Sequence, residues 1–489
     1  MEAVSFGKWR QRLWPIYNFE LKKFLPLFVL KFLISLNYSI VNNLKDAIVV
    51  TAKNSGAEII PTMKGFVVLP FAILYTIIFA KLSNHFKRST LFYGIITFFV
   101  LFYFIYGFVI YPHVDSFAPH ASADFLTNKI GSQYQHYIAI YRYWMHALFF
   151  TQSEMWASVV IFLLYWGFTN QILELTEAKR FYALFAAGGN IATMLAGFLT
   201  MKLARHYTSY LQTLQSSISF FIIICALIMA LYWWINKYVL SDKRFYSPKT
   251  IIKKAEAKTK LNLKDSFLYI ARSKYLLSIA LMVICYSLTI NIVEVTWKAH
   301  LKLYYPSPGA FQAFMSQVNS LSGLVAFLVA VFLSGNSIRF FGWQKSALIC
   351  PLFIGFTSLS FLMLVLNHKL ASIFLISPAL LITIYGAFQN ISTKALKYAL
   401  FDPTKEMSFI PLDQESKVKG KAAIDVVGSR LGKSGSSYLQ MLLLFMVGSG
   451  SILDATSLIL PIVAVSLTAW ILSIRSVGQK VEEKARAAS

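Results

Sequence analysis

Long apolar runs recur along the chain, each close to the ~20 residues a helix needs to cross a bilayer. They lie near 25–47, 63–82, 90–111, 144–168, 181–203, 217–235, 275–295, 320–334, 347–366, 370–391, 436–452 and 455–474, which predicts twelve spans. The eighth and eleventh have short apolar cores and are expected to extend into their polar flanks.

The polar stretches between these runs are basic in alternation. Lys81, Lys87 and Arg88 follow the second run, Lys179 and Arg180 the fourth, and Arg475, Lys480, Lys484 and Arg486 the twelfth. The interval 237–274, after the sixth run, holds eleven Lys/Arg against three Asp/Glu. Basic loops are retained on the cytoplasmic side. Both termini and the central loop are therefore expected there. The predicted division is a cytoplasmic segment 1–24, a six-helix half 25–240, a basic linker 241–272, a second half 273–475 and a tail 476–489. The expected fold is an all-α membrane protein of twelve transmembrane helices in two six-helix halves, major-facilitator-like, with substrate between the halves. A short echo supports the repeat: SLNYSIVNNLKD at 35–46 and SLTINIVEVTWK at 287–298 both close the first span of their half.

Composition agrees with a protein that spans the bilayer. Of 489 residues 57% are hydrophobic and 14% charged, where soluble domains carry about 25% charge, and mean hydropathy is +0.59. The net charge of +25 is placed by the loops, so topology rather than nucleic acid explains most of it. The N-terminus MEAVSFGKWRQRLWPIYNFELKK has no apolar signal core, and no cleaved leader is expected. Cys225, Cys285 and Cys350 are scattered through apolar runs, and the eight histidines form no ligand-spaced group. Neither a disulfide framework nor a metal site is expected, and no cofactor.

GSRLGKSGSS at 428–437 imitates a nucleotide-binding loop. That loop needs four residues between its first Gly and its Gly-Lys-Ser, and here three intervene. The run that follows is apolar, so Lys433 is expected beside or inside a span. The longest intervals between runs, 112–143, 236–274 and 392–435, leave no room for an ATPase domain. The chain is expected to have no catalytic residues and not to be an enzyme; ATP hydrolysis at the membrane is the remote alternative.

A charge in mid-span costs roughly 2.5–3.5 kcal/mol and marks a pair or a water-filled path. Lys45 and Asp46 close the first span, either as an interfacial pair or as a cavity lysine awaiting an anion. Glu154 is flanked by apolar turns on both sides. Glu294 is similar but nearer a span end. Each acid could pair with a buried lysine, hydrogen-bond a ribose or base, or carry a proton. Lys298 follows Glu294 by four residues, a favourable helical pair. Arg430 and Lys433 share a helix face that suits phosphate, or else lie at the interface. Arg142, just before the fourth span, is a further candidate. The cluster KVKGK at 417–421 reads as a solvated face or as a gatherer of anions at the cavity mouth. These cations imply an anionic, phosphorylated substrate, without choosing among nucleotide, sugar phosphate and other polyanions.

Several stretches carry a resemblance: ELKKFLP at 20–26, VVTAKNSGAEIIP at 49–61, EAKRFYALF at 177–185, INIVEVTWK at 290–298, QNISTKALKYALFDPTKEM at 389–407, and IPLDQESKVKGKAAIDVV from 410, followed by LGKSG through 435. The chain resembles the ATP/ADP translocases, or nucleotide transporters, of plastids and obligate intracellular bacteria. The resemblance implies nucleotide exchange in a multi-pass protein of a bacterial inner membrane, with the lipid bilayer as its other partner, a monomer as its assembly and no hydrolysis. It also implies that two lysines and two glutamates serve transport, which match Lys45, Glu154, Glu294 and Lys433. Family exchangers typically show an LRDTKD-like motif. Asn42 and Asn43 stand here where that motif has Arg-Asp, so one cation near the expected phosphate site is missing. The family also includes broad nucleoside-triphosphate exchangers, proton-coupled importers and NAD carriers, which the missing arginine leaves open.

Overall fold

The computed structural model describes residues 10, 14–242, 273–332, 334–367, 376–409, 411–412, 424 and 429–488, all of them helix or short connection. Most of the linker 241–272 and the whole cluster 417–421 lie outside the described residues. The helices are α1 (Asn18–Val50), α2 (Ile59–His85), α3 (Arg88–Phe117), α4 (His120–Ile130), α5 (Gln135–Arg142), α6 (Trp144–Ile172), α7 (Leu175–His206) and α8 (Tyr210–Val239). After the linker come α9 (Lys274–Tyr304), α10 (Pro308–Phe332), α11 (Ser334–Leu366), α12 (Pro378–Leu396, carried on to Met407), α13 (Ser429–Val447) and α14 (Thr456–Ala488).

Local chemistry sets the breaks. After α1 the chain turns at Asn54, whose φ of +58° is a left-handed conformation that Asn tolerates. Ser377 accepts from the Leu380 N–H at 3.3 Å and so caps α12, with Pro378 in its first turn. In α11, Gly342 takes φ +76° and kinks the helix.

Ten helices among the described residues are long and apolar enough to cross a membrane. The runs expected at 370–391 and 436–452 are not among them. Their helices, α12 and α13, devote much of their length to Gln389, Asn390, Lys394 and the polar stretch 429–437. The eighth span, expected at 320–334, begins at Pro308. It was hidden because Gln312, Ser316 and Asn319 are buried in the protein, where hydropathy does not see them.

Two apolar clusters form the interior. One is confined to α1–α8 and the segment leading into α1. The other is built on α9–α14, joined by Ala47, Val49 and Val50 of α1 and the start of α2. Glycines bring the two sets of helices together. A Cβ on Gly197 of α7 would lie 2.5 Å from the Ser316 carbonyl oxygen, and one on Gly323 of α10 would lie 2.6 Å from the Asn190 carbonyl oxygen. The reciprocal glycines let these helices touch backbone to backbone, as small residues do inside membranes. On the other flank α2 meets α13, where the Tyr438 hydroxyl donates to the Gly65 carbonyl at 3.2 Å.

Candidate functional site

The site begins with a rotation about α1. Lys31, Ser35, Tyr38, Asn42 and Lys45 are spaced four, three, four and three residues apart, which puts them on one helix face. On α9, Ser287, Asn291, Glu294 and Lys298 repeat that spacing. The two stripes meet where the helix sets join, more than four-fifths of the way along each helix.

Lys45 is buried and bonds to Glu154 Oε1 of α6, with its ammonium 4.3 Å from the centre of the Phe150 ring and 3.7 Å from Asp46 Oδ1. Lys298, also buried, contacts Asp46 Oδ2 at 2.8 Å and Glu294 Oε1 at 2.8 Å. A row of alternating charges thus runs from α6 through α1 to α9: Glu154, Lys45, Asp46, Lys298, Glu294. The row is not sealed. The Glu154 side chain keeps 24% of its surface and Glu294 23%, against 5% for Lys45.

Further cations face the two partly open acids. Lys64 of α2 donates to Asn291 Oδ1 at 3.3 Å and acts electrostatically on both Glu154 and Glu294. Lys433 of α13 acts on Glu154, and Lys394 of α12 on Glu294. Five lysines then stand against three carboxylates, Asp46, Glu154 and Glu294, an excess of two positive charges; Lys45 and Lys298 are buried, Lys64 and Lys394 half-buried and Lys433 exposed.

A neutral chain runs beside the charged row. Lys394 donates to Asn319 Oδ1 at 2.9 Å, and Asn319 Nδ2 donates to Asn43 Oδ1 at 2.6 Å. Asn43 Nδ2 in turn donates to Thr200 Oγ1 at 2.9 Å, which lies 2.9 Å from Ser316 Oγ. Asn43 uses its amide both ways, as acceptor and as donor; an aspartate could only accept.

Of the residues expected from sequence, Lys45, Glu154, Glu294, Lys298 and Lys433 come together here. Arg142 does not. It ends α5 and its guanidinium meets Asp124 Oδ1 of α4 at 2.5 Å. Arg430 lies in the first turn of α13, and its side chain is outside the described residues. Gly432-Lys433-Ser434 forms helix rather than a phosphate loop: Ser436 and Ser437 both donate to the Lys433 carbonyl, at 2.8 and 3.1 Å. Gly432 is there for packing, since its Cβ would come within 2.6 Å of Ser287 Cβ on α9. Lys64, Lys394, Asn43 and Asn319 were missed. Both lysines sit at the ends of apolar runs, where an interfacial lysine gives the same pattern, so only the folded arrangement brings them to the site.

Comparison with known proteins bears on the fold and the family. Two solved structures share the fold: a bacterial homologue of the iron transporter ferroportin in an inward-facing state (TM-score 0.54, 12% identity, covering 95% of this chain and all of that one) and a D-xylose-proton symporter (TM-score 0.55, 12% identity, covering 92% and 97%). At these identities they show the major-facilitator-like fold alone. Sequence relatives are nearer. "ADP,ATP carrier protein 1" of Chlamydia muridarum is 43% identical over 99% of this chain and 92% of its own length. "ADP,ATP carrier protein 1" of Rickettsia typhi is 35% identical over 97% and 96%. "ADP,ATP carrier protein 1, chloroplastic" of Arabidopsis thaliana is 39% identical over 93% of this chain and 73% of its own. The family described as TLC ATP/ADP transporter matches residues 1–481. The chain is therefore a multi-pass membrane transporter and not an enzyme, and it belongs to the TLC ATP/ADP transporter family.

Proposed function

We propose that the protein exchanges ATP for ADP by alternating access, with the lysine cluster between α1, α2, α9, α12 and α13 as its phosphate site. The observation that carries this reading is the excess of two positive charges where the two helix sets meet. An excess of that kind at a membrane-embedded junction is costly without an anion to complete it, and the exposure of Lys433 leaves it open to one. Lys45, Lys298, Lys433 and Arg430 contact the phosphates, joined by Lys64 and Lys394. Glu154 and Glu294 hold Lys45 and Lys298 when the site is empty, and release them to the substrate.

Exchange follows from the same balance. Reorienting the empty site moves uncompensated charge through the low-dielectric junction, whereas the substrate phosphates neutralise it. Only the loaded protein crosses readily, so each nucleotide leaving is matched by one returning.

In this reading α12 and α13 complete twelve spans in two halves, α1–α8 and α9–α14. The termini and linker are cytoplasmic, by the basic charge of their side, in a bacterial inner membrane, and the protein acts as a monomer. Bonds that join the sets lie toward the ends of α1 and α9 far from the termini: Lys302 donates to the Ser55 carbonyl, and Glu58 Oε1 accepts from the Ile452 N–H at 3.0 Å. In this reading these contacts close the loop side, and the cavity opens toward the cytoplasm.

The test is labelled ATP uptake into bacteria making this protein, with unlabelled ADP, GTP, CTP, UTP and NAD as competitors and ADP-driven efflux of the preloaded label. Selective competition by ADP together with ADP-stimulated efflux is expected. Absence of ATP uptake with normal protein levels would overturn the reading.

Asn42 and Asn43 favour a second reading, transport of another nucleotide by exchange or with a proton on Glu154 or Glu294. Arg-Asp and Asn-Asn have the same net charge, and Asn43 bonds well where it stands, so we rank this second. Equal competition by all triphosphates, or uptake abolished by a protonophore, would promote it. In the leading reading, N42R/N43D keeps exchange within about threefold, while N43D alone, losing its bond to Thr200, lowers it roughly tenfold, as a lost buried hydrogen bond of about 1–3 kcal/mol requires.

A further inference from the structure

One buried lysine takes no part in the cluster. Lys31 lies 14 residues before Lys45 on the same face of α1, about 21 Å nearer the terminal side by the helical rise. It is 8% exposed. Its ammonium donates to Ser35 Oγ at 3.1 Å and lies 5.6 Å from the Tyr165 ring centre and 5.9 Å from that of Trp166. No carboxylate among the described residues pairs with it.

The direction of the side chain is informative. Helical side chains lean back toward the N-terminus, and a lysine in this half of α1 escapes the membrane interior by snorkelling that way. Lys31 does the opposite. It reaches one turn forward to Ser35, toward the middle of the bundle, and so leaves its charge in the interior. Gly189 of α7 faces the Ser35 hydroxyl: a Cβ there would lie in ordinary contact, 3.6 Å from Ser35 Oγ. Beyond Ser35, Tyr38 and Asn42 continue the stripe to Lys45.

We propose that Lys31, with Ser35, Tyr165 and Trp166, is a second anion subsite, which takes the phosphate chain of a nucleotide between the terminal side and the central cluster. This rests on the proposed nucleotide exchange and locates a station on its path. Tyr165 and Trp166 hold the ammonium over their π faces when the subsite is empty, a contact weak enough to yield to phosphate. The Ser35 hydroxyl then donates to the phosphate as Lys31 turns toward it. In a chain with Asn at 42, Lys31 also supplies a cation on the same face, about 16 Å along the helix.

The subsite serves one face of the membrane, which makes it testable. Exchange is measured in intact cells and in inverted membrane vesicles, with the terminal side identified by protease access to a C-terminal tag. In Lys31→Met the KM for ATP and for ADP rises about tenfold to a hundredfold on the terminal side, as loss of a charge-assisted bond predicts, and less than twofold on the other. Lys31→Arg restores it. Pyrophosphate competes more weakly with transport from the terminal side in Lys31→Met than in the parent protein. Lys31→Gln is the neutral variant to use if Lys31→Met does not accumulate. An unchanged KM on the terminal side, or an equal rise on both sides, would overturn the subsite. Failure of the parent protein to exchange nucleotides at all would instead overturn the function on which it rests.

Discussion

Asp46 and Lys298 are 252 residues apart and bond at 2.8 Å. The same offset of 252 superimposes Ser35 on Ser287 in the internal repeat. The two partners are thus equivalent positions of the two repeated segments, Asp46 lying next to Lys45 of the α1 stripe, and the ion pair joins α1 to α9.

That pair is buried on both sides; removing Asp46 leaves Lys298 to Glu294, and removing Lys298 leaves Asp46 to Lys45 at 3.7 Å, so breaking it costs up to about 3–5 kcal/mol. Asp46→Asn and Lys298→Met are each expected to lower nucleotide exchange about a hundredfold and to lower the Tm of purified protein. The double variant removes both charges together and recovers much of the stability. A double-mutant cycle on Tm measures the coupling; purely additive losses would show that the two residues act independently.

In the proposed exchange, Glu154 competes with substrate for Lys45. Glu154→Gln frees that lysine and raises the local excess from two charges to three. ADP and ATP are expected to bind more tightly, with KM falling severalfold, while the maximal exchange rate falls because release becomes slow. Lys45→Ala is expected to raise KM and to cut exchange together. Saturation kinetics of labelled ADP uptake separate the two patterns, and a Glu154→Gln variant with raised KM would contradict the holding role.

The Glu58 carboxylate and the Ile452 amide close the loop side between the two helix sets, at 3.0 Å. Alternating access requires this contact to break in each cycle. A disulfide formed by Glu58→Cys and Ile452→Cys should stop exchange, and reductant should restore it, as followed by label efflux before and after reduction. Full exchange with the crosslink intact would mean that this side does not open.

Much of the molecule was already legible in its sequence, because a bilayer imposes length and apolarity locally. Ten of the expected runs appear as helices able to cross a membrane, and the cost of mid-span charge singled out Lys45, Glu154, Glu294 and Lys298 before any fold was known. The GKS spacing excluded a phosphate loop on local grounds as well. Other features depended on tertiary structure. Hydropathy counts a polar residue alike whether it meets lipid or protein, so it placed α10 too late in the chain, and it does not see that Gln389, Asn390, Ser436 and Gln440 of α12 and α13 are buried in protein. Lys64 and Lys394, at the ends of apolar runs, carry no signal of their own in the sequence, and packing brings them near Glu154 and Glu294. Arg142 looked equivalent to the site residues until Asp124 of α4 met it outside the cluster. Sequence determines which charges must be buried, since insertion energy is a property of each residue and its neighbours in the chain. Which charges meet is decided by the rotation of each helix and the glycine contacts of α7 with α10, and those exist only in the assembled bundle.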